Sequence, residues 1–402
     1  MKYLYLRLKR FCGFVAGFVF FIAGIFKLLD PVGAGLVMKE YLDFFHLGFM
    51  SVLAKPLAVA LAFLETVVGA ALVTGVFRRL SAITAIAFQA FFTFVTLILV
   101  IFNPEMDCGC FGEVIHLSHL QTFLKNILLL SLLLLYALPL RHLGFPKKLK
   151  YVSFGVVVMS VAAFAIYSWV RVPLIDYTDF KPASALKAGS AFSVTTEDMF
   201  EAVFVYEKDG ESQEFTLENL PDSTWSFVEA RTVAKEGLNG NSADLSFYDA
   251  SGVYHDTLAV KGKVMVISVY NPKMKTKWKT TASFISRVEE AGFRPLLLVS
   301  ASAEQMESVF QKNPDLAETL SNVMYYSDYK TLIAMNRSNG GVTYFSDGYL
   351  VRKWACGDSP DTAELSEIYV GDDTEVIIES DSRGRLAFQG FMLYVFAIML
   401  LL

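Results

Sequence analysis

Five separate apolar runs, each long enough to cross a bilayer, constrain this chain more than any other feature. Residues 11–29, 57–77, 80–102, 120–140 and 151–170 carry few charges over about 19–23 residues each. A helix of that length spans a hydrocarbon core of roughly 30 Å. A shorter sixth run, 386–402, reads as a terminal anchor. The 54 % hydrophobic content of the 402 residues is concentrated in these runs, which predicts a helical membrane bundle rather than one soluble core.

Lysine and arginine placement predicts the orientation. Lys2, Arg7, Lys9 and Arg10 precede the first run, and Arg78 and Arg79 separate the second from the third. Arg141, Lys147, Lys148 and Lys150 separate the fourth from the fifth. The alternate loops hold Lys27, Lys39 and Lys55, and no lysine or arginine lies between Phe102 and Gln121. The expectation is a multi-pass protein of the cell inner membrane with a cytoplasmic N-terminus and residues 172–384 in the periplasm; Arg383 and Arg385 run against that pattern. The first run is long for a secretory h-region, and no convincing small-x-small cleavage site follows it. Its Cys12 is expected to pack in the bundle. The net charge of −5, with no basic run in the exported part, supports no nucleic-acid partner; the bilayer is the expected one.

The order of segments predicts four spans in a bundle over 1–142, a fifth over 143–171, a linker with a small β-rich insert over 172–243, an α/β domain over 244–384 and an anchor at 386–402. Residues 172–190 read as linker, and Tyr206–Gly210 as a hairpin turn followed by a strand, Glu214–Leu217. In the α/β part, Leu245–Tyr248 reads as a short strand, and Val264–Tyr270 and Pro295–Ser300 as strands buried on both faces. Lys277–Ala291 and Ala303–Lys312 have helical spacing, Asn322–Tyr326 is a third strand, and Tyr329–Asn336 a short helix. Ser346-Asp347-Gly348 between two apolar runs is a hairpin signal, and Thr362–Tyr369 a closing helix.

The candidate chemistry sits in the loop after the third span, Asn103-Pro104-Glu105-Met106-Asp107-Cys108-Gly109-Cys110-Phe111-Gly112. Two cysteines one residue apart at the mouth of a bundle suit thiol–disulfide cycling, because a disulfide across one residue closes a small, strained and oxidising ring. Gly109 relieves the crowding of such a ring. Glu105, Asp107 and Glu113 disfavour thiolate there. A structural pair and a metal site with His116 and His119 are the alternatives, although Cys-x-Cys-x5-His-x2-His matches no usual metal spacing and no metal ligands are assigned. Glu65, within the second span, must face the bundle interior. It is a candidate for proton relay or for contact with a quinone headgroup, and equally for a structural pair with Gln89, Thr93 or Lys27. Gln89 reads as helix–helix glue, and Gly13, Gly17 and Gly24 as close-packing positions.

Ala23–Pro31 and Leu64–Leu72 resemble DoxX-like four-helix membrane proteins, and Asp107–Gly112 followed by Ser118, Leu124 and Asn126 resembles the MauE branch of that group. This likeness spans about 1–142 and implies a four-helix core that assists disulfide formation in an exported enzyme. Leu245–Asp249, Gly252, Leu258 and Val260–Ile267 resemble the opening of exported thioredoxin-like proteins. Where those carry Cys-x-x-Cys, this chain reads Tyr270-Asn271-Pro272-Lys273-Met274-Lys275, and Gly340-Gly341-Val342 replaces their cis-proline. The combination resembles membrane proteins of Bacteroidetes. The expected fold is therefore an α-helical membrane bundle with a DoxX-like core plus an exported, degenerate thioredoxin-like α/β domain. The expected role is thiol–disulfide or electron transfer through Cys108 and Cys110, with Glu65 handling protons, a quinone as candidate cofactor and an exported protein as client. Cys356 is a candidate exchange partner of that pair. A non-enzymatic assembly factor and a metal-handling protein are the alternatives.

Overall fold

The computed structural model describes residues 2–104, 106–138, 147–187, 200–208, 211–216, 221, 225–234, 242–272, 278–312 and 314–401. Glu105, the turn residues Asp209 and Gly210, Leu217, and Lys273–Lys275 fall outside them. The chain forms two compact units, Met1–Tyr177 with Asp381–Leu402, and Thr178–Ser380.

The first unit is helical. Its elements are α1 (Lys2–Leu29), α2 (Pro31–Phe44), α3 (Ala54–Thr74), α4 (Arg78–Phe102), the short strand β1 (Cys110–Glu113), α5 (His119–Ala137) and α6 (Lys148–Val170). Five helical stretches are long and apolar enough to cross a membrane: Tyr5–Leu29, Gly48–Thr74, Arg78–Phe102, His119–Ala137 and Lys148–Val170. The helix α2 was not expected. Asp30 starts it by accepting from the amides of Val32 and Gly33, and Pro31 at its first position needs no donor partner.

The backbones of α1 and α3 cross closely at glycines. A Cβ on Gly17 would lie 2.6 Å from Leu72 Cβ and 3.0 Å from Gly69 O, and one on Gly24 would collide with Thr66 Oγ1. Small residues at such a crossing let dispersion contacts form between backbones where lipid offers no hydrophobic drive. Gly17→Val is expected to lower the detergent unfolding midpoint, at a cost of about 1–3 kcal/mol from forced separation. An unchanged midpoint would contradict this crossing.

The bundle has two chemically different ends. At one, Tyr5 Oη and Lys9 Nζ both donate to Leu138 O, at 3.3 and 2.7 Å, and the Phe77 ring meets that of Tyr151 at 5.2 Å. These contacts gather the N-terminus, the α3–α4 turn and the start of α6 with their basic residues. At the other end lie Asp30, α2 and the cysteine loop, with Gly112 against Phe26 O at the C-terminal end of α1.

The second unit holds two sheets. One is a seven-stranded sheet in the order β6-β2-β11-β10-β7-β8-β9, and the other has the order β4-β3-β5. The strands are β2 (Ala185–Lys187), β3 (Phe200–Lys208), β4 (Glu211–Thr216), β5 (Ser226–Ala234), β6 (Ser242–Asp244), β7 (Lys263–Val269), β8 (Arg294–Val299), β9 (Met324–Tyr326), β10 (Gly341–Ser346) and β11 (Tyr349–Trp354). In the larger sheet β7, β8 and β9 run parallel, and β10 is antiparallel to both β7 and β11. Alternation along β7 builds both cores. Met265, Ile267 and Val269 pack with Ile285, Val288 and Leu365, while Val264 and Val266 pack with Phe345, Leu332 and Met335. The β10–β11 turn is Asp347-Gly348, both at positive φ, as a tight two-residue hairpin requires.

Three expectations change. Leu245–Tyr248 is not a ladder strand: the Phe247 amide donates to the buried Asp256 carboxylate at 2.7 Å, and only Tyr248 forms isolated bridges. Ala185–Lys187, expected in a linker, pairs with β6 and β11. A helix, Pro314–Ser321, adds to the expected series. Of the terminal run 386–402, residues 386–401 fall within a 29-residue helix, Asp373–Leu401. Its Phe388, Val395 and Met399 are buried with Phe21, Ile25, Val157 and Phe164, and Ser153 Oγ donates to Ile398 O at 2.6 Å.

Candidate functional site

The cysteine loop is clamped from three sides. Asn103 leaves α4 in the left-handed region, and the chain returns as β1 before Ser118 caps α5 through a reciprocal capping box with Gln121. Gly109 and Gly112 both take positive φ, 57° and 59°. A Cβ at Gly109 would press against Val37 of α2, so only glycine brings the loop this close to that helix. Tyr41, also on α2, donates its hydroxyl to Cys108 O at 3.0 Å. Both loop cysteines are free thiols; Cys108 is buried and Cys110 half-buried.

His119 at the start of α5 completes the loop. Its Nδ1 lies 2.9 Å from Cys108 Sγ and its Nε2 lies 3.0 Å from Pro104 O. A carbonyl oxygen only accepts, so Nε2 carries the hydrogen in the neutral ring. Nδ1 is then left with a lone pair facing the Cys108 thiol. Burial pushes the Cys108 thiol up, and the neighbouring charges of Cys110 and Asp107 add to that, while Thr122 and Lys125 oppose it. Burial also raises the Tyr41 phenol, with the cysteine charges adding, so Tyr41 stays a donor.

Behind the loop lies a cavity of about 400 Å³. Cys108 and Cys110 form part of its wall, aromatic and aliphatic side chains such as Phe20, Phe91, Phe92 and Val95 form most of it, and Lys27, Glu65, Gln89, Thr96 and Asn126 supply the polar lining. Lys27 Nζ and Glu65 Oε2 pair at 2.6 Å, with side chains 15 % and 7 % exposed. Lys27 also lies 5.7 Å from the Phe92 ring centre. Gln89 donates to Asn126 O at 3.2 Å and Asn126 to Thr96 Oγ1 at 3.2 Å, closing a polar chain between α4 and α5. The inward face of α5 is a helical stripe of Thr122, Asn126, Leu129 and Leu133.

Residues 2–139 match the family model described as methylamine utilisation protein MauE. A second match, over residues 200–236, is to a domain of unknown function, DUF8463. No curated protein and no solved structure matches the chain. The MauE match contains every residue that lines the cavity, so loop, ion pair and cavity belong to one MauE-like unit. That match and the five long apolar helices make this an integral, multi-pass membrane protein.

Cys108, Cys110 and Glu65, singled out separately in the sequence, share the wall of this one cavity. Of the three partners considered for Glu65, Lys27 is the one that binds it; Thr93 donates instead to Gln89 O. His116 is exposed and pairs with Asp107 at 3.5 Å, away from Cys108. Among the described residues no group of His, Cys, Asp and Glu is arranged to hold a metal. Cys12 packs with Ala16, Leu72 and Tyr136 in the bundle. Cys356, in the other unit, is exposed beside Gly340. Sequence reasoning missed Tyr41, which needed α2 to be recognised, and weighed His119 as a metal ligand or a plain interfacial histidine but not as a partner of Cys108. The available signals were Asp30-Pro31 as a helix start and Ser118-x-x-Gln121 as a cap.

Proposed function

We propose that the chain is a membrane thiol–disulfide oxidoreductase whose Cys108 and Cys110 cycle between dithiol and disulfide. The observation that carries this reading is the placement of both cysteines on the wall of a largely apolar cavity that is also lined by the Lys27–Glu65 pair. A structural pair would have no use for such a chamber. The contact of Lys9 with Leu138, at the end of the bundle away from the Tyr41–Cys108 contact, supports an inner-membrane topology with the N-terminus cytoplasmic and the loop and residues 172–384 periplasmic.

Exchange with an exported client balances by itself. Client dithiol plus the Cys108–Cys110 disulfide gives client disulfide plus the protein dithiol, and the reverse step reduces a client. Net oxidation needs a two-electron acceptor, and the cavity fits a lipid-soluble quinone: aromatic walls for the ring, Lys27 and Gln89 as donors to its oxygens, Glu65 as a proton group. A quinone bound there would supply the two-electron oxidation of the dithiol.

The second unit is read as a degenerate thioredoxin-like domain, residues 244–384, and as the platform for the client. The parallel β7–β8 pair and the β10–β11 hairpin beside β7 support the likeness. It has Cys356 as its sole cysteine, so the paired-thiol chemistry falls to the bundle.

The test is direct. Reduced full-length protein in detergent, given a short-chain quinone, should form the Cys108–Cys110 disulfide with an equal amount of quinol. A cavity-blocking Val95→Trp variant should slow the reaction at least about tenfold. Thiols that persist in the unmodified protein would overturn the quinone assignment.

A further inference from the structure

We infer that His119 is the acid–base partner of Cys108, which makes Cys108 the cysteine that attacks and departs inside the loop and Cys110 the one that joins the client. The inference rests on the thiol–disulfide reading above and assigns its proton path.

The geometry is specific. The carbonyl of Pro104, 3.0 Å from Nε2, fixes the ring so that Nδ1 presents its lone pair to Cys108 Sγ at 2.9 Å. That is the arrangement by which an imidazole accepts a thiol proton. The anchoring carbonyl stabilises the imidazolium that results, because Nε2–H donates to it throughout. The other groups facing the sulfur are Tyr41 and Cys110, Asp107 on the loop, and Thr122 and Lys125 on α5. The base shown within hydrogen-bond distance of the thiol is His119, at 2.9 Å. Burial by itself would leave Cys108 a poor nucleophile there, and His119, with its lone pair at the sulfur, supplies the base that the thiol needs.

The exposure difference orders the steps. Half-buried Cys110 is the more accessible of the two to a client sulfur, and Cys108, with one residue between them, is buried. When a client disulfide is reduced, Cys110 thiolate attacks it and one client sulfur leaves as thiolate. The Cys108 proton then passes to His119 Nδ1, Cys108 sulfur attacks Cys110 sulfur, and the bond from Cys110 to the client breaks. The second client sulfur leaves with the electron pair and is protonated from solvent. In client oxidation the same steps run backwards, and His119 returns the proton to Cys108 as it leaves Cys110. No external oxidant enters either direction.

The test measures alkylation of Cys108 by N-ethylmaleimide across pH in full-length Cys110→Ser protein, read at Cys108 by mass spectrometry. With His119 present the rate should reach a plateau between about pH 7 and 9, because the imidazole takes the proton. In His119→Asn, whose amide can still fill the Nδ1 position, the rate at pH 7 should fall about tenfold or more. The two should converge at strongly alkaline pH, where the thiol ionises unaided. Superimposed profiles, or the same loss at every pH, would overturn the dyad. If His119→Asn does not fold, the His119-bearing profile decides alone: a single rise above the ordinary thiol range contradicts the inference. This readout is independent of cycling in cells, so the dyad and the exchange reading can fail separately.

Discussion

Glu65→Ala should destabilise the bundle by about 3–5 kcal/mol, the scale for leaving one member of a buried ion pair without its partner. The reason is the 2.6 Å contact to Lys27 in a cavity whose walls are otherwise mostly apolar. The ammonium would keep its position on α1 and lose the only carboxylate shown bonded to it. Its remaining neighbour, the Phe92 ring, is worth at most about 2 kcal/mol to a desolvated cation. The double variant Lys27→Met/Glu65→Leu should recover most of the loss, because it removes both charges and fills similar volume. Unfolding midpoints of the full chain in detergent measure both. A single variant as stable as the parent would mean that the pair does not form, and the role proposed for Glu65 would go with it.

Cys108→Ser should accumulate a covalent client adduct, and Cys110→Ser should accumulate none. With Cys108 gone, a mixed disulfide on half-buried Cys110 has no neighbouring thiol to release it. With Cys110 gone, the remaining sulfur is buried and held against His119, where a client sulfur has little access. Both variants should lose turnover to background. Non-reducing gels of alkylated membranes read the difference, as a high-mass band that collapses on reduction. A band of equal strength in both variants would contradict the assigned order, and a band stronger in Cys110→Ser would reverse it.

The helical unit was legible where the signal was length. Each of the five runs found from apolar composition is a helix of the bundle, because a run of that length can satisfy its backbone in lipid only as a helix. Lys9 reaches Leu138 at the end of α5, and the α3–α4 turn that carries Arg78 meets the start of α6 through Phe77 and Tyr151. What escaped was shorter or non-local. The 14 residues of α2 are too few to span and mix Lys39, Glu40 and Asp43 with apolar positions, so no window flagged them. Glu65 had three plausible partners because a helical register does not say which neighbouring helix it faces. His119 looked like half of a poor metal motif, since spacing cannot show that Pro104, fifteen residues back, holds its other nitrogen. In the α/β unit, β7 and the Asp347-Gly348 hairpin carried local signatures. Ala185–Lys187 and Leu245–Tyr248 did not: the first is a strand only because β6 and β11 flank it, and the second is denied a ladder by the Asp256 carboxylate.

The central claim, that Cys108 and Cys110 cycle, is tested most directly by acid-quenched alkylation trapping of the pair in living cells. Both the dithiol and the disulfide should be present at steady state. The balance should move to dithiol after a membrane-permeant reductant and return to disulfide once it is removed. A pair that stays wholly reduced, or wholly oxidised, through that cycle would contradict the account.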